Sequence, residues 1–365
     1  MMVSHLKTKD MITQLLNNWY QEIRAQHLKE ATHLKDEIDK YINSINEDSN
    51  LLFHYSLLTF RFKVLLDHLS ITPTSFQTID SLDIPKNESL SYYYHFFKGI
   101  HATLISNNNE AWEYYEKAET LLQHIHDDLE IGEFSYRFAN FYLHTYQPLL
   151  AIQNVTKAKE IFSKHNGYEN NVAACENLYG LACIDIKQFP VAEEKFNSAI
   201  DILRKNNEGS LILRVRSNLG FLYSNQNLST LAIRHLSEVT TKTPEHFKAL
   251  FLEAREHFKL GEVNQSAELI ERGLAICEQL DNKEYLYHFK ILDCMNKGVP
   301  ATILEELSWE AISFFDKQKL FNYTQEYTEK LAIKFYEEND TVKASKYFYI
   351  SHQAKEKTFE KGALK

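Results

Sequence analysis

The sequence predicts an all-α protein in which an N-terminal three-helix bundle is followed by a right-handed tetratricopeptide-repeat superhelical solenoid. Three observations indicate this class. Gly and Pro are scarce, with 10 and 6 among 365 residues, which favours long helices. Aromatic residues make up 13% of the chain and recur at helical spacing. Small and large residues also recur at one fixed spacing, as they do in stacked helix pairs.

Residues 1–70 are predicted to form the bundle, which we expect to bind a target protein. The first helix has one broad apolar face, and the second has apolar residues at spacings of three and four. The third is apolar nearly all round, so we expect it to be buried. Polar, cap-forming residues separate the last two helices. The predicted helices are Asp10–Gln26, Leu28–Ile45 and Leu51–Leu69.

Residues 71–88 are predicted to be a linker between the bundle and the repeats. The segment contains Pro73 and Pro85 among Thr, Ser and Asn, and proline ends helical order. We therefore expect no long helix there.

Residues 89–365 are predicted to form the repeat domain. In the clearest copy the small residues Gly180, Ala192 and Ala199 let two helices approach closely, and Phe196 fills the gap between neighbouring pairs. A degenerate copy lies between Phe289 and Phe314, with Glu305 in place of a small residue. The other copies are Gly99, Ala111, Tyr115, Ala118; Ala139, Tyr142, Ala151, Ala158; Gly220, Tyr223, Ala232; Ala254, Ser266, Ile270, Gly273; and Ala332, Phe335, Ala344, Phe348, Ser351.

Composition argues against several classes of function. The formal net charge is −10, and Lys and Arg are scattered among Asp and Glu, so direct nucleic-acid binding is not expected. No apolar run approaches the roughly 20 residues that span a bilayer, and the N-terminus has no hydrophobic signal region. We therefore expect a cytoplasmic protein that does not bind membranes.

Sequence motifs of known catalytic, cofactor-binding and metal-binding sites are also missing. The phosphate-binding, dinucleotide-binding, zinc-protease and serine-hydrolase signatures do not occur, so we expect no cofactor. His124 and His126 are two apart, and on a helix such residues point away from each other, so no metal site is expected. None of the four cysteines has CxxC spacing, which favours buried thiols; these are Cys175, Cys183, Cys277 and Cys294.

Polar residues on the first helices of the central pairs are candidates for binding an extended peptide. Asn side chains can donate to and accept from a peptide backbone, and Asp can hold an amino terminus or a basic side chain. The alternative is that these groups only cap turns or bond neighbouring helices. The candidates are Asn177, Asp185, Arg214, Ser217, Asn218, Asn225 and Arg255.

The combination of bundle, linker and repeats resembles the Rap proteins of Bacillus and its relatives. The resemblance covers nearly the full chain and depends on five segments taken together. It implies a cytosolic regulator whose bundle, with the adjoining repeats, docks a response regulator or a DNA-binding regulator. It also implies that a short signalling oligopeptide binds the repeats and pulls the bundle into the groove. The segments are Leu16–Tyr20, Glu47–Arg61, Tyr92–Gly99, Asp281–Tyr285 and Phe289–Leu292.

Some Rap proteins hydrolyse the aspartyl phosphate of their target with a Gln from the turn between the second and third helices. In this chain the resemblance places that Gln at Ser49, whose hydroxyl is too short to position water as a Gln amide does. Asp185 and Asn218 fall on peptide-contacting positions of the family, and Ala182 stands where many members have Asn. The resemblance implies target contacts at Glu47, Asp48, Ser49 and Asn50.

Three functions remain open on the sequence. The first is a quorum-sensing regulator, not an enzyme, that sequesters a transcriptional or response regulator and is inhibited by a signalling peptide. The second is a response-regulator aspartyl-phosphate phosphatase. The third is a general tetratricopeptide adaptor, which would need basic clamps beyond Arg214 and Arg255. The last repeat, Glu326–Lys357, either caps the array or forms a homodimer contact. We expect Tyr347, Phe348 and Tyr349 at its surface, and so many aromatics favour the homodimer contact.

Overall fold

The computed structural model describes residues 2–362, and this part of the chain is helical without a strand. The predicted all-α class is confirmed. Residue 1 of the predicted bundle and residues 363–365 of the predicted repeat domain lie outside the described residues. The chain divides into two compact units, Met1–Arg137 with Ala158–Val172, and Phe138–Lys157 with Ala173–Lys365. Within residues 2–362 no helix is both long and apolar enough to cross a bilayer.

The bundle at the start of the first unit differs from the prediction in its second helix. The predicted helix over Leu28–Ile45 is interrupted by a 3₁₀ turn at Asp39–Tyr41. At this turn the Tyr55 hydroxyl donates to Asp39 Oδ1 at 2.7 Å, and Lys35 pairs with the same carboxylate at 2.6 Å. Side-chain bonds of this kind compete with the helical hydrogen-bond pattern. The helices are α1 Met2–Arg24, α2 Leu28–Ile38, α3 Ile42–Asn46 and α4 Ser49–Leu66.

The bundle core follows the apolar patterns of the sequence. Trp19 and Ile23 of α1 are fully buried. The fourth helix, α4, is apolar nearly all round and buries nine of its 18 residues, in line with the burial predicted for the third helix of the bundle. Its one buried cation is Arg61, which is less than 1% exposed.

The segment after α4 is short of helix and contains a 3₁₀ turn at His68–Ser70 and one short helix, Gln77–Asp80 (α5). Pro73 and Pro85 lie outside both. The centre of the segment packs on its neighbours, because Phe76 is buried edge-to-face against Phe60 of α4 at 4.9 Å between ring centroids. Asp80 accepts from the Tyr94 hydroxyl at 3.0 Å.

Seven antiparallel helix pairs follow within the described residues. Each turn inside a pair contains one residue in the left-handed region, and five of these are not glycine: Ser106, Tyr146, Lys187, Asn227 and Asn339, with φ between 57° and 66°. The pairs are α6 Glu88–Leu104 with α7 Asn108–Leu122, α8 Asp128–His144 with α9 Pro148–Phe162, α10 Glu169–Asp185 with α11 Phe189–Lys205, α12 Gly209–Asn225 with α13 Ser229–Lys242, α14 Phe247–Lys259 with α15 Val263–Gln279, α16 Lys283–Asn296 with α17 Ala301–Lys317, and α18 Phe321–Glu337 with α19 Thr341–Gly362.

The small residues of the repeat allow close helix contact, as the spacing predicted. A Cβ on Gly180 would lie 2.7 Å from the Phe196 ring, and one on Gly220 would lie 2.5 Å from Leu236. The large residue therefore packs on the glycine of its own pair. Phe196 also shares a core cluster with Val215, Leu219 and Leu222 of the next pair, which agrees with its predicted place between neighbouring pairs.

In the degenerate copy the anchor residue is large, and the small residue that accommodates it belongs to the preceding pair. Phe289 occupies the anchor position that is small in other pairs, and Gly273 of the preceding pair makes room for it, since a Cβ there would lie 2.0 Å from the ring. The small residues of this copy are Ala301 and Ser308, both buried. Glu305 does not replace either of them. It lies nearer the surface and pairs with Lys343 at 2.6 Å.

Candidate functional site

Two predicted peptide-binding residues meet on neighbouring pairs of the second unit. Asn218 of α12 donates through Nδ2 to Oδ1 of Asn177 on α10, at 2.8 Å. Both side chains are half-buried. Each amide keeps further donor and acceptor capacity, because one hydrogen bond uses only part of it. The pair, called here the amide pair, can therefore bond a peptide backbone while it also links two helices.

Asp185, the last residue of α10, has no hydrogen bond or ion pair within residues 2–362. Its carboxyl is half-buried, and the protein packed around it raises its pKa to about 8. Burial without a partner disfavours the ionised form. A cation placed beside Asp185 would remove this penalty.

Tyr146 lies in the electric field of Asp185, and no sequence pattern selects it. Burial, followed by the charges of Asp185 and Glu326, raises the pKa of its phenol to about 12. The residue occupies the left-handed position in the turn between α8 and α9. The phenol is therefore a neutral donor beside acidic side chains at neutral pH.

Two further carboxylates were missed because they lie in pairs far along the chain. Glu284 of α16 is buried, 3.6 Å from His144 and 3.8 Å from His288. Burial raises the pKa of Glu284. The two imidazoles and Lys248 lower it by more, so the pKa ends well below its ordinary range. For Glu326 of α18, burial is outweighed by Lys330 and Arg255, and its pKa falls to about 2. No local motif marks either residue.

Arg255 is used in bonds between repeats. Its Nη2 donates to Ser224 Oγ at 2.7 Å, and Ser224 Oγ in turn donates to Glu256 Oε1 at 2.5 Å. Glu256 also accepts from Ser229 at 2.7 Å and from Lys259 at 2.8 Å. This network links α12, α13 and α14. The guanidinium remains half-buried, and its contact with a peptide stays a prediction.

The remaining peptide-site candidates differ in exposure. Ser217 is 5% exposed, so its hydroxyl is largely covered. Asn225 is exposed and donates through Nδ2 to Phe221 O of its own helix at 2.9 Å. Arg214 is half-buried on α12. Their roles in binding also stay predictions.

The predicted target-binding turn of the bundle joins α3 to α4. Asp48 is the N-cap of α4, and its Oδ1 accepts from the backbone N–H groups of Asn50 at 3.0 Å and Leu51 at 3.1 Å. It also pairs with Lys9 of α1. Glu47, Ser49 and Asn50 are exposed. Asp48 therefore holds the turn in place, and the other three residues are available to a partner.

The histidines and cysteines of the described residues do not form a metal site. Within residues 2–362 no three His, Cys, Asp or Glu side chains are placed to hold a metal ion. His124 and His126 lie in the connection between α7 and α8, so the helical geometry expected for them was wrong. The cysteines are free thiols; Cys175, Cys183 and Cys277 are buried as predicted, and Cys294 is half-buried.

A small bundle followed by stacked helix pairs, with a polar site on the first helices of the pairs, defines a tetratricopeptide-like helical-repeat protein. Residues 6–67 match the family model described as response regulator aspartate phosphatase H, N terminal. Over these residues the bundle is similar to the N-terminal region of the Rap proteins.

Relatives match almost the whole chain. Response regulator aspartate phosphatase I of Bacillus subtilis (strain 168) is 25% identical over 97% of this chain and 93% of its own length. A crystal structure of a Rap protein complexed with Competence and Sporulation Factor covers 96% of this chain and 99% of its own, at 22% identity and a TM-score of 0.80. The Rap conjugation gene regulator of the plasmid pLS20, in complex with the Phr* peptide, covers 97% and 98%, at 20% identity and a TM-score of 0.69.

Proposed function

We propose that this protein is a cytoplasmic, peptide-controlled regulator that holds a DNA-binding regulator or a response regulator and releases it when a short signalling oligopeptide binds the repeats. The observation that carries the proposal is the unpaired, half-buried carboxyl of Asp185 near the end of α10, the helix that also bears the amide pair. A peptide supplies both missing partners, because its ammonium or a basic side chain neutralises Asp185 and its backbone bonds the amides.

Peptide control is supported by the relatives. The pLS20 conjugation gene regulator was solved with the Phr* peptide, and another Rap protein with Competence and Sporulation Factor. Each of these peptides is a ligand of the protein with which it was solved. For this chain they support a ligand of the same kind, with its own sequence preference.

The turn before α4 favours sequestration over phosphate hydrolysis. Ser49 is exposed at the first position of α4, where its hydroxyl lies close to the backbone. A water molecule attacking a phosphoryl group must be held in line by a group that reaches it. Asp48 is occupied as the helix cap. The exposed turn suits docking better than catalysis.

The peptide site is tested with Asp185→Asn and a matched control, Asp201→Asn, an exposed carboxylate on α11. The probe is a synthetic pentapeptide pool with free amino termini and one fixed arginine, and binding is measured by calorimetry. Loss of a charge-assisted bond of about 1.5–3 kcal/mol predicts a weakening of roughly 10- to 100-fold for Asp185→Asn only. Equal binding by wild type and both variants would contradict the site.

Target binding is tested with purified DNA-binding regulators and receiver domains from the same cell. The expected result is capture of one regulator without peptide and its release with peptide. Absence of any complex in both conditions would refute the proposal.

The alternative function is a response-regulator aspartyl-phosphate phosphatase. It is supported by the description of the matching family model and by the name of the phosphatase I relative. It predicts that the protein speeds phosphate loss from a phosphorylated receiver domain and that Ser49→Ala slows this. Under sequestration, a radiolabelled receiver loses phosphate at the same rate with and without the protein.

A further inference from the structure

Lys248 is a half-buried cation in the first turn of α14. Within residues 2–362 it makes no hydrogen bond or ion pair, and its Nζ lies 5.4 Å from the centroid of the Tyr285 ring on α16. An ammonium group carries three N–H donors. All three donors of Lys248 are therefore left for solvent or for a ligand.

The carboxylate of Glu284 near Lys248 is occupied by other groups. Glu284 Oε2 lies 3.6 Å from Nε2 of His144, and its Oε1 lies 3.8 Å from Nε2 of His288. Burial lowers the pKa of Lys248, and the charge of Glu284 offsets this only in part. An anion placed beside a desolvated cation favours its charged form. Lys248 would thus be stabilised by a further carboxylate.

The aromatic side chains around Lys248 hold it against a firm surface. The Tyr285 ring packs edge-to-face on Phe247 and Phe251, at 4.9 Å and 6.0 Å between ring centroids. Both phenylalanines are buried. A charge-assisted hydrogen bond is stronger where the local dielectric is low. A ligand anion would therefore meet a donor whose surroundings are already in place.

The repeat places Lys248 at one end of the row of candidate peptide contacts. It stands six residues before Ala254, the small residue of its copy. Asn177 and Asn218 of the amide pair stand three and two residues before theirs, and Asp185 stands five residues after the small residue of α10. Along the stacked first helices the order is therefore cation, amides, carboxyl.

A second cation marks the same end of the row. Arg214 of α12 stands six residues before Gly220, so it occupies the position on its helix that Lys248 occupies on α14. The row is therefore positive at one end and has the carboxyl of Asp185 at the other.

The length of the row fits a short peptide. Lys248 and Asp185 are eleven helical positions apart, about 16 Å along the helix axes, and their helices belong to pairs that are two steps apart. An extended peptide of about five to eight residues spans roughly 17–28 Å. Its two ends, rather than its middle, therefore fall near the two groups.

We propose that Lys248 binds a carboxylate at the carboxyl end of the signalling peptide, which runs along the repeats from Asp185 to Lys248. This role of Lys248 rests on the proposed function, because it needs a peptide in the repeats. The carboxylate comes from a free C-terminus or from an acidic side chain of the last residue. Lys248 thus determines which peptides are accepted.

Three pools of synthetic pentapeptides test this role by calorimetry with the full chain. Each pool has a free amino terminus and one fixed arginine, and the randomised positions exclude Asp and Glu. The first pool ends in a free carboxylate, the second in an amide, and the third in an amidated glutamate. Lys248→Met keeps the length of the side chain and removes its charge. Lys205→Met, an exposed lysine on α11, is the control, and Arg214→Gln tests the neighbouring cation.

Wild type and Lys205→Met are expected to bind the first pool roughly 10- to 100-fold more tightly than the second, as for the loss of one charge-assisted hydrogen bond. Lys248→Met is expected to bind both pools equally, with the affinity of wild type for the amide. Tight binding of the third pool by wild type would extend the role of Lys248 to acidic side chains. Weak binding of that pool would restrict it to the free C-terminus.

Three results would overturn the role of Lys248 and leave the proposed function standing. The preference for the free carboxylate persists in Lys248→Met, or it disappears only in Arg214→Gln. Equal binding of the first two pools by wild type is the second result. The third is that Lys248→Met weakens binding of all pools by one factor, which a merely structural role would produce. If wild type binds none of the pools, the proposed function fails together with this role.

Discussion

The carboxyl of Asp185 makes the stability of the protein depend on pH in an unusual direction. Its pKa is about 8 in the folded chain, against 3.8 for an unperturbed aspartate. Between these values the folded state binds a proton that the unfolded state does not, so stability falls as pH rises.

Asp185→Asn removes this dependence. The variant is expected to gain stability relative to wild type as pH rises from about 4 to about 8, with a constant difference above that. Each unit by which folding raises the pKa of Asp185 corresponds to about 1.4 kcal/mol of stability. Denaturant unfolding of both proteins across this range measures the difference. Parallel curves would show that Asp185 is well hydrated in the folded state.

Gly180 tests the close contact inside a helix pair. Gly180→Ala places a methyl group against the Phe196 ring and is expected to cost about 1–3 kcal/mol through overpacking. Gly209→Ala is the control, because a Cβ added there would meet nothing within 4 Å. Thermal unfolding should separate the two variants, and an equal shift in both would rule out the packing explanation.

Residue spacing was enough to place Asp185, Asn177 and Asn218 on the first helices of their pairs, and their role in binding a peptide stays a prediction. It could not find Tyr146, Glu284 or Glu326. Tyr146 lies in the electric field of Asp185 and Glu326, and Glu284 lies near His144 and Lys248, so the charges around each come from helices distant in sequence. It also could not show that Arg255 and Ser217 are largely used within the fold.

At the scale of the element, α4 depends on its cap. The Lys9 side chain, together with the two backbone N–H groups, lowers the pKa of Asp48 in the folded chain. The Asp48 carboxylate therefore stabilises the fold at neutral pH, and this stabilisation is lost as pH falls through the lowered pKa. Asp48→Ala is expected to cost about 1 kcal/mol at neutral pH, and Ser49→Ala to change stability little. Urea unfolding compares them. A Ser49→Ala loss as large as that of Asp48→Ala would mean that Ser49 has a structural role.

Apolar periodicity located the helices of the bundle, but it could not locate the break after Ile38. The break coincides with bonds from Lys35 and Tyr55 to Asp39, and Tyr55 is 16 residues away. Periodicity likewise marked residues 71–88 as lacking long helix, without showing that Phe76 is buried there. Both misses come from single side chains that bond or pack across the sequence.

At the scale of the whole molecule, the last helix has the most exposed aromatics. Phe348, Tyr349 and Phe359 are exposed on α19, whereas Tyr347, expected at the surface, is fully buried and bonds Trp309 and Glu305. We predict that this face forms a homodimer contact. Light scattering at micromolar concentration is expected to show a dimer that Phe359→Ser weakens, and a monomer throughout would contradict it.

The left-handed residues inside the pairs hold the turns of the array in a strained backbone conformation. A non-glycine residue in this conformation costs roughly 1–2 kcal/mol, and the chain carries this cost at Lys187 and four other turns. Lys187→Gly is expected to raise the unfolding free energy by about 0.5–1 kcal/mol, measurable by urea titration, and a loss of stability would contradict it. Replacing several such residues by glycine would relieve this strain in steps without altering a helix face, which provides a series of variants for asking how much strain in the turns signalling requires.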